Sequence, residues 1–522
     1  MPARNAAAAS LATLIALLAS GCGSSDRGAA PVATPVQLRV DGSTPIAHVS
    51  ERFLSFAVDT AEALGGVFWD PAGSGEEVPV PVYDFGRPRL RRLVSELSPA
   101  MLRIGGTAAD YVFYDLGAVP VASPPPPYRL VLTRTIWEGI ASFARDLDLE
   151  ILFTLDAGPG ARDALLAWNP TNARDFVSYV AARGDPVTVW ELGNEINGYP
   201  IEHFIRVDGR QYARDVAAAR ALVDELHPAA QLAGPSSAYW PPIGEAFPVM
   251  PQFLAAGGSL VDVVTWHFYP QQSKRCPIAT RRASPTRMLD PDNLAAVDRW
   301  AERVEAEVRE HAPNAQVWLG ETGNAQCGGE PGVSDRFVGS LWWLDELGRM
   351  ARRGQPVVVR QTLSGSDYGL IDDATLEPNP DYWASLLWRR LMGTRVLSVD
   401  VSAGEPSEEL APPAVVAYAA CQRDVAGGLA VLAINLDTER SAAVLIEGVT
   451  GASAEIDVAT APDRLGKTVL VNGRPLAADA SGAPPAIVPE RARVRPGLPL
   501  VTLPPTSYAF VALPDSGAPG CG

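Results

Sequence analysis

Lysine is nearly missing from this chain. Lys274 and Lys467 are its only two in 522 residues, so arginine supplies almost all of the 43 basic groups, and 60 acidic residues outweigh them to a formal charge of −17. A chain this acidic lacks the positive field on which nucleic-acid binding depends, and anionic lipid surfaces would repel it. Histidine and cysteine are scarce too, at five each. His48, His203, His227, His267 and His311 lie too far apart for a local motif such as H-E-x-x-H, and the cysteine spacings fit no zinc pattern, so no metal is expected. No G-x-G-x-x-G follows the first strand-like run, which argues against a dinucleotide-binding sheet. What is present is core material: 47% of the residues are hydrophobic and 20% charged, which excludes global disorder, and the length suits two or three domains.

Residues 1–22 read as an export signal, with Arg4, an apolar run over 11–20 that is too short to span a membrane, and the ending L-A-S-G-C. That ending resembles the bacterial lipobox, whose cysteine is lipidated, so Cys22 is the expected lipidation site; an ordinary signal peptide cut nearby is the alternative. Residues 23–35, rich in Gly, Ser, Ala and Pro, suit a flexible tether. The expectation is an exported protein, anchored by lipid to a bacterial membrane and touching it only through that anchor. Cys276, Cys327, Cys421 and Cys521 then remain, an even number that allows two disulfides in three connectivities.

Over 51–395 short apolar runs alternate with longer amphipathic ones. Strands are predicted at 53–59, 100–105, 150–156, 187–191, 231–234, 261–266, 316–320 and 356–361, each followed by helical spacing. Parallel strands need helical crossovers and eight of them close, so the pattern predicts a (β/α)8 TIM barrel; an open doubly wound sheet is the alternative. From 396 to 515 the runs become short and alternating, the pattern of a C-terminal antiparallel β-sandwich, followed by a tail at 516–522. Residues 36–50 hold a strand with no helix to pair with, and it is expected to join the sandwich.

In such a barrel, chemistry sits at the C-terminal mouths of the strands. Glu195, after the fourth strand, and Glu321, at the end of the seventh, face each other across that mouth. Glycoside hydrolysis needs two carboxyl groups flanking the anomeric carbon, and in a retaining enzyme they stand ~5–5.5 Å apart, with no room for a water between them. One such Glu alone reads as a solvated strand end. Two in matched positions, each in an aromatic and Gly-rich context, point to catalysis.

Further segments narrow this reading. Residues 190–197 (W-E-L-G-N-E-I-N) resemble the acid/base segment of clan A glycoside hydrolases. Together with 53–59 (F-L-S-F-A-V-D), 102–107 (L-R-I-G-G-T), 265–269 (T-W-H-F-Y), 317–322 (V-W-L-G-E-T), 343–348 (W-L-D-E-L-G) and 381–383 (D-Y-W), they resemble the heparanase and β-glucuronidase family, glycoside hydrolase family 79, over about 36–513. The resemblance implies Glu195 as acid/base and Glu321 as nucleophile, with Asp59, Thr107 and Asn194 hydrogen-bonding sugar hydroxyls. It implies that a uronate carboxylate is held by Tyr368 and by the backbone of the loop Gln326, Cys327, Gly328 and Gly329, where backbone donors give directed hydrogen bonds. A plain turn is the alternative for the two glycines, and His267 is either a substrate contact or a packed strand-end residue. Cys421 and Cys521 match family positions that pair across the β domain. Cys276 and Cys327, on loops after neighbouring strands, are then expected to pair as well.

Two departures from animal heparanases stand out. Gln326 and Cys327 replace an aromatic residue and a glycine, and the lysine-rich clusters that bind heparan sulfate have no counterpart. One local basic group, Lys274, Arg275, Arg281, Arg282 and Arg287, falls after the sixth strand; it either meets an anionic glycan or is a solvated basic loop. The function expected is retaining hydrolysis of β-linked glucuronic acid in glycans or glycosaminoglycan-like chains by double displacement, with a uronic-acid-containing glycan as substrate and no cofactor. The alternatives are an endo-acting heparanase-like enzyme and a non-catalytic glycan-binding lipoprotein.

Overall fold

The computed structural model describes residues 33–70, 76–403, 414–449 and 452–522. The expected export signal, Cys22 and most of the expected tether lie outside the described residues.

Eight parallel strands close into a barrel: Leu54–Asp59, Ala100–Gly105, Leu149–Leu155, Val187–Leu192, Gln231–Tyr239, Val263–Phe268, Gln316–Thr322 and Val358–Arg360, the last pairing with the first. Side chains alternate along each strand. Ala57, Met101, Leu152, Val189, Ala233, Trp318 and Val359 fill the barrel's interior, while neighbours such as Phe56, Leu102 and Trp190 pack outward against the helices. The barrel is therefore a packed core whose polar business is confined to one mouth.

The β domain is two sheets sharing one long strand, Met392–Ala403. The N-terminal strand Thr34–Asp41 pairs antiparallel with that strand and parallel with Ala442–Glu447, and it buries Val36, Leu38 and Val40 in the sandwich core with Val431, Val444 and Val511. The shared strand follows directly on the helix Pro380–Leu391 without a loop. Ser453–Thr460 is a strand that the sequence reading passed over, because Ala, Asp and Glu dilute its apolar alternation. The disulfide Cys421–Cys521, with Cα atoms 5.3 Å apart, pins the C-terminal end to this domain. The buried helix Phe337–Arg353 joins the two halves: Tyr418 of the β domain donates to Asp345 at 2.6 Å. No helix among the described residues is long and apolar enough to cross a membrane.

Candidate active site

The fourth strand ends at Leu192, and the chain turns at once through Gly193, whose φ is 71°. A β-carbon there would lie 2.6 Å from both Ile196 Cδ1 and Tyr199 Oη, so only glycine lets the turn close. The turn presents Asn194 and Glu195, and Glu195 itself adopts left-handed geometry (φ 49°, ψ 54°). The seventh strand carries Glu321. An oxygen of each carboxyl and a ring nitrogen of His267 lie within 4.8 Å of one another. That spacing is too short for a water between the carboxyls and matches the ~5–5.5 Å of retaining enzymes.

Each carboxyl has its own partners. Tyr269 donates to Glu321 Oε1 at 2.7 Å and Arg103 Nη1 donates to Oε2 at 2.6 Å. Burial alone would raise the Glu321 carboxyl, but neighbouring His267 and Arg103, with the hydrogen bonds from Tyr269 and Arg103, hold it below the usual carboxylate range. His267 Nδ1 lies 3.0 Å from Glu195 Oε1 and 3.9 Å from Glu321 Oε2, which puts the ring between the pair as a contact of both. Two carboxyls and an imidazole this close resemble a metal donor set. The guanidinium already bonded to Glu321 supplies the positive charge there, so a cation would meet repulsion as well as ligands.

Arg103 is the functional residue that sequence reasoning missed. It is fully buried and projects inward two positions after Met101. It spans Glu191 at 2.9 Å, Glu321, and Asn194 Oδ1 at 2.8 Å. Because the Asn194 oxygen is taken, the amide's N–H2 group is the donor left for a sugar hydroxyl. The signal was a lone charge within the apolar run A-M-L-R-I-G.

The remaining expected residues ring the same mouth. Asp59 caps the short helix Thr60–Leu64 through the Ala61 N–H at 2.8 Å and accepts from Gln361 at 3.0 Å; burial pushes its carboxyl up to about 7. Thr107 is exposed at the rim and hydrogen-bonds Glu202, a mostly buried carboxyl raised well above its usual range by burial and by Glu195. Cys327, Gly328 and Gly329 have φ of 62°, 75° and 83°, and among the described residues their N–H groups engage no backbone or side-chain acceptor. A β-carbon on Gly328 would overlap Trp69 and come within 2.5 Å of Ser366 Oγ. Buried Tyr368 packs against this loop, its backbone nitrogen 3.0 Å from where a β-carbon of Gly329 would be. The disulfide Cys276–Cys327, Cα atoms 5.5 Å apart, has the expected pairing and fastens this loop to the one after the sixth strand.

The basic group after the sixth strand resolves into structure. Arg275 is buried, donating to the carbonyls of Gly328 at 3.2 Å and Gly329 at 3.0 Å and pairing with Asp367. Arg281 donates to Asn293 and Arg282 to the carbonyls of Ser273 and Cys276. For Arg275 the glycan-contact reading is therefore corrected, because it is buried and holds loops together, whereas Lys274, Arg282 and Arg287 are exposed on this loop. Beside the carboxyl pair opens a cavity of about 730 Å³ lined by Asp59, Thr107, Glu202, Trp240, Ile278 and Gln326 among others.

Comparison with known proteins agrees with this geometry. Residues 35–348 match the N-terminal domain of glycosyl hydrolase family 79. Heparanase-like protein 1 of Arabidopsis thaliana is 29% identical over 489 residues, covering 84% of this chain and 86% of that protein. Heparanase of Mus musculus is 32% identical over 415 residues, covering 71% of this chain and 73% of its own length. Among solved structures, a 4-O-α-L-rhamnosyl-β-D-glucuronidase from Fusarium oxysporum 12S shares the fold at 18% identity, with a TM-score of 0.66 over 91% of this chain and 100% of that one. The chain is a glycoside hydrolase and belongs to family 79.

Proposed function

We propose that this enzyme releases β-linked glucuronic acid from the end of a glycan or conjugate, with retention of configuration. The observation that carries the reading is the close carboxyl pair together with a loop whose three N–H groups engage no acceptor among the described residues. Those N–H groups, with the Tyr368 hydroxyl, suit a uronate carboxylate; Asp59, Thr107 and Asn194 suit the ring hydroxyls. The family relatives named heparanase favour the same substrate class.

Glu321 attacks the anomeric carbon while Glu195 gives its proton to the departing oxygen, so one C–O bond breaks as an ester bond forms. Arg103 and Tyr269 keep Glu321 ionised and aimed until then. Glu195, now a carboxylate, removes a proton from water; the water oxygen opens the ester, and Glu321 returns as an anion. His267 orients Glu195 through their 3.0 Å contact.

Exo action is favoured because the hairpin Val67–Trp69 with Glu77–Pro79 abuts Gly328, walling the carboxylate loop on that side. An endo-acting reading would want cations along the cleft; Arg275 is engaged by Asp367 and by the Gly328 and Gly329 carbonyls, and among the described residues lining the cavity Arg129 is the one cation. We also propose export and lipidation at Cys22, supported by the apolar run and the L-A-S-G-C ending. Substituting Cys22→Ser should move the protein from the membrane to the soluble fraction; retention on the membrane would count against it.

The decisive test is release of p-nitrophenol from its β-D-glucuronide against the β-D-glucoside, with Glu321→Ala as control and NMR of the first-formed anomer. Glucuronide turnover, β-anomer first and abolished in the variant, is expected. Preference for the glucoside or an α-anomer would refute the reading.

A further inference from the structure

Beyond the catalytic pair the cavity continues over the loops that follow the fourth, fifth and sixth barrel strands. A general acid delivers its proton to the departing oxygen, so the leaving group must lie on this side, beside Glu195. The loops turn apolar groups toward that space: Ile201, Trp240, Pro277 and Ile278 all line it. Ile201 is 43% exposed and Ile278 60%, and farther along the fourth-strand loop Phe204 is 88% exposed. The Thr280 hydroxyl donates to the Pro241 carbonyl, holding the Trp240 and Ile278 loops side by side. Large apolar side chains gathered at the rim of a cleft mark a surface that a ligand covers.

The charges on this wall point the same way. Among the described residues lining the cavity, Arg129 is the one cation; its guanidinium lies 3.7 Å from the centroid of the Tyr111 ring and it interacts with Glu77. Glu202 adds a carboxyl beside Thr107. A sulfated sugar seated here would leave its sulfate facing isoleucine, tryptophan and carboxyl groups, with the lining cation Arg129 already engaged by the Tyr111 ring and Glu77. An uncharged ring would instead cover Trp240 and Ile278 and release water from both.

We propose that the leaving-group subsite of this enzyme takes an uncharged, flat apolar group, an aryl aglycone, in preference to a sulfated sugar. This rests on the glucuronidase reading of the catalytic pair, and the test separates the two. Thioglucuronides resist hydrolysis, so their inhibition constants compare binding without any effect of leaving-group acidity. Three would be measured on the full-length enzyme: methyl 1-thio-β-D-glucuronide, its phenyl analogue, and a thio-linked glucuronosyl glucosamine 6-sulfate. The phenyl compound should bind about tenfold more tightly than the methyl one, from the apolar area it covers, and the sulfated one most weakly. Ile278→Ala, at an exposed position, and Trp240→Ala should each narrow the phenyl-to-methyl gap. A phenyl compound no better than the methyl one, or a sulfated one that binds best, would overturn the aryl assignment while leaving the glucuronidase reading intact. Failure of the methyl compound to bind, with no glucuronide hydrolysed, would overturn both.

Discussion

A guanidinium sealed inside the barrel decides the charge of Glu321, the proposed nucleophile. Arg103 reaches Glu191, Asn194 and Glu321 at once, so it holds Glu321 ionised, orients Asn194, and is itself kept charged by two carboxylates. Arg103→Met should lower kcat/KM by about 10²-fold or more, the scale for loss of an aimed charge in a dry site. Its signature is the pH profile. As the proposed nucleophile Glu321 must be a carboxylate, and its proton leaves below the usual range; without Arg103 the acidic limb of kcat/KM should move to higher pH. An unmoved limb would mean that Arg103 serves only packing. Glu195→Gly gives the complementary prediction: an aryl glucuronide with a good leaving group should still form the ester, and added azide, an anionic nucleophile that needs no base, should restore turnover by displacing Glu321 from the anomeric carbon to give the β-glucuronosyl azide. At this scale the sequence was partly legible. Glu195 and Glu321 could be read because strand ends in a barrel point at one mouth. Arg275 could not, because whether a basic side chain meets solvent or a carbonyl depends on loops folded far apart in sequence, here those of Gly328 and Asp70.

Between elements, the loops after the sixth and seventh strands act as one unit because Cys276 and Cys327 join them. The bond closes a sequence separation of 51 residues, which the chain-entropy account values at about 4 kcal/mol. Its second effect is local, since Cys327 begins the run of left-handed residues proposed to hold the uronate carboxylate. The double variant Cys276→Ser with Cys327→Ser should therefore raise KM for p-nitrophenyl β-D-glucuronide about tenfold and lower Tm, with kcat less affected. A fall in Tm with KM unchanged would separate the disulfide from substrate binding. All eight barrel strands were legible as apolar runs, and Ala100–Gly105 at both its ends, but not every boundary was. The fifth was expected to stop at 234, since G-P-S-S reads as a turn. It runs to Tyr239, because a register shift between Pro235 and Ser237 absorbs the proline within the sheet.

At the scale of the whole molecule, acid and base pull on different buried carboxyls. Burial pushes Asp59 and Glu245 up to about 7 and Glu346 up to about 8, so the folded chain holds protons that the unfolded chain, with carboxyls near their ordinary values of about 4, has released. The stability these groups contribute is complete below about pH 4 and declines as pH rises through 7 to 8, where the folded state must ionise them in a dry interior. Glu321 and Glu191 run the other way. Burial opposes their charge, but Arg103 and His267 hold both below the usual range, so their contribution is present above about pH 4.5 and is lost as pH falls through the lowered values. The two sets leave a maximum on the acid side of neutrality, near about pH 5. A net charge of −17 at pH 7 deepens the decline on the alkaline side by self-repulsion, and salt screens that part alone. Calorimetry from pH 4 to 9 should show Tm falling between pH 5 and 8, with added salt recovering only a share of the loss. A Tm that climbs steadily to pH 8 would mean that Asp59, Glu245 and Glu346 ionise in the folded protein as they do in water, and that Asp59 meets the sugar as a carboxylate at every working pH.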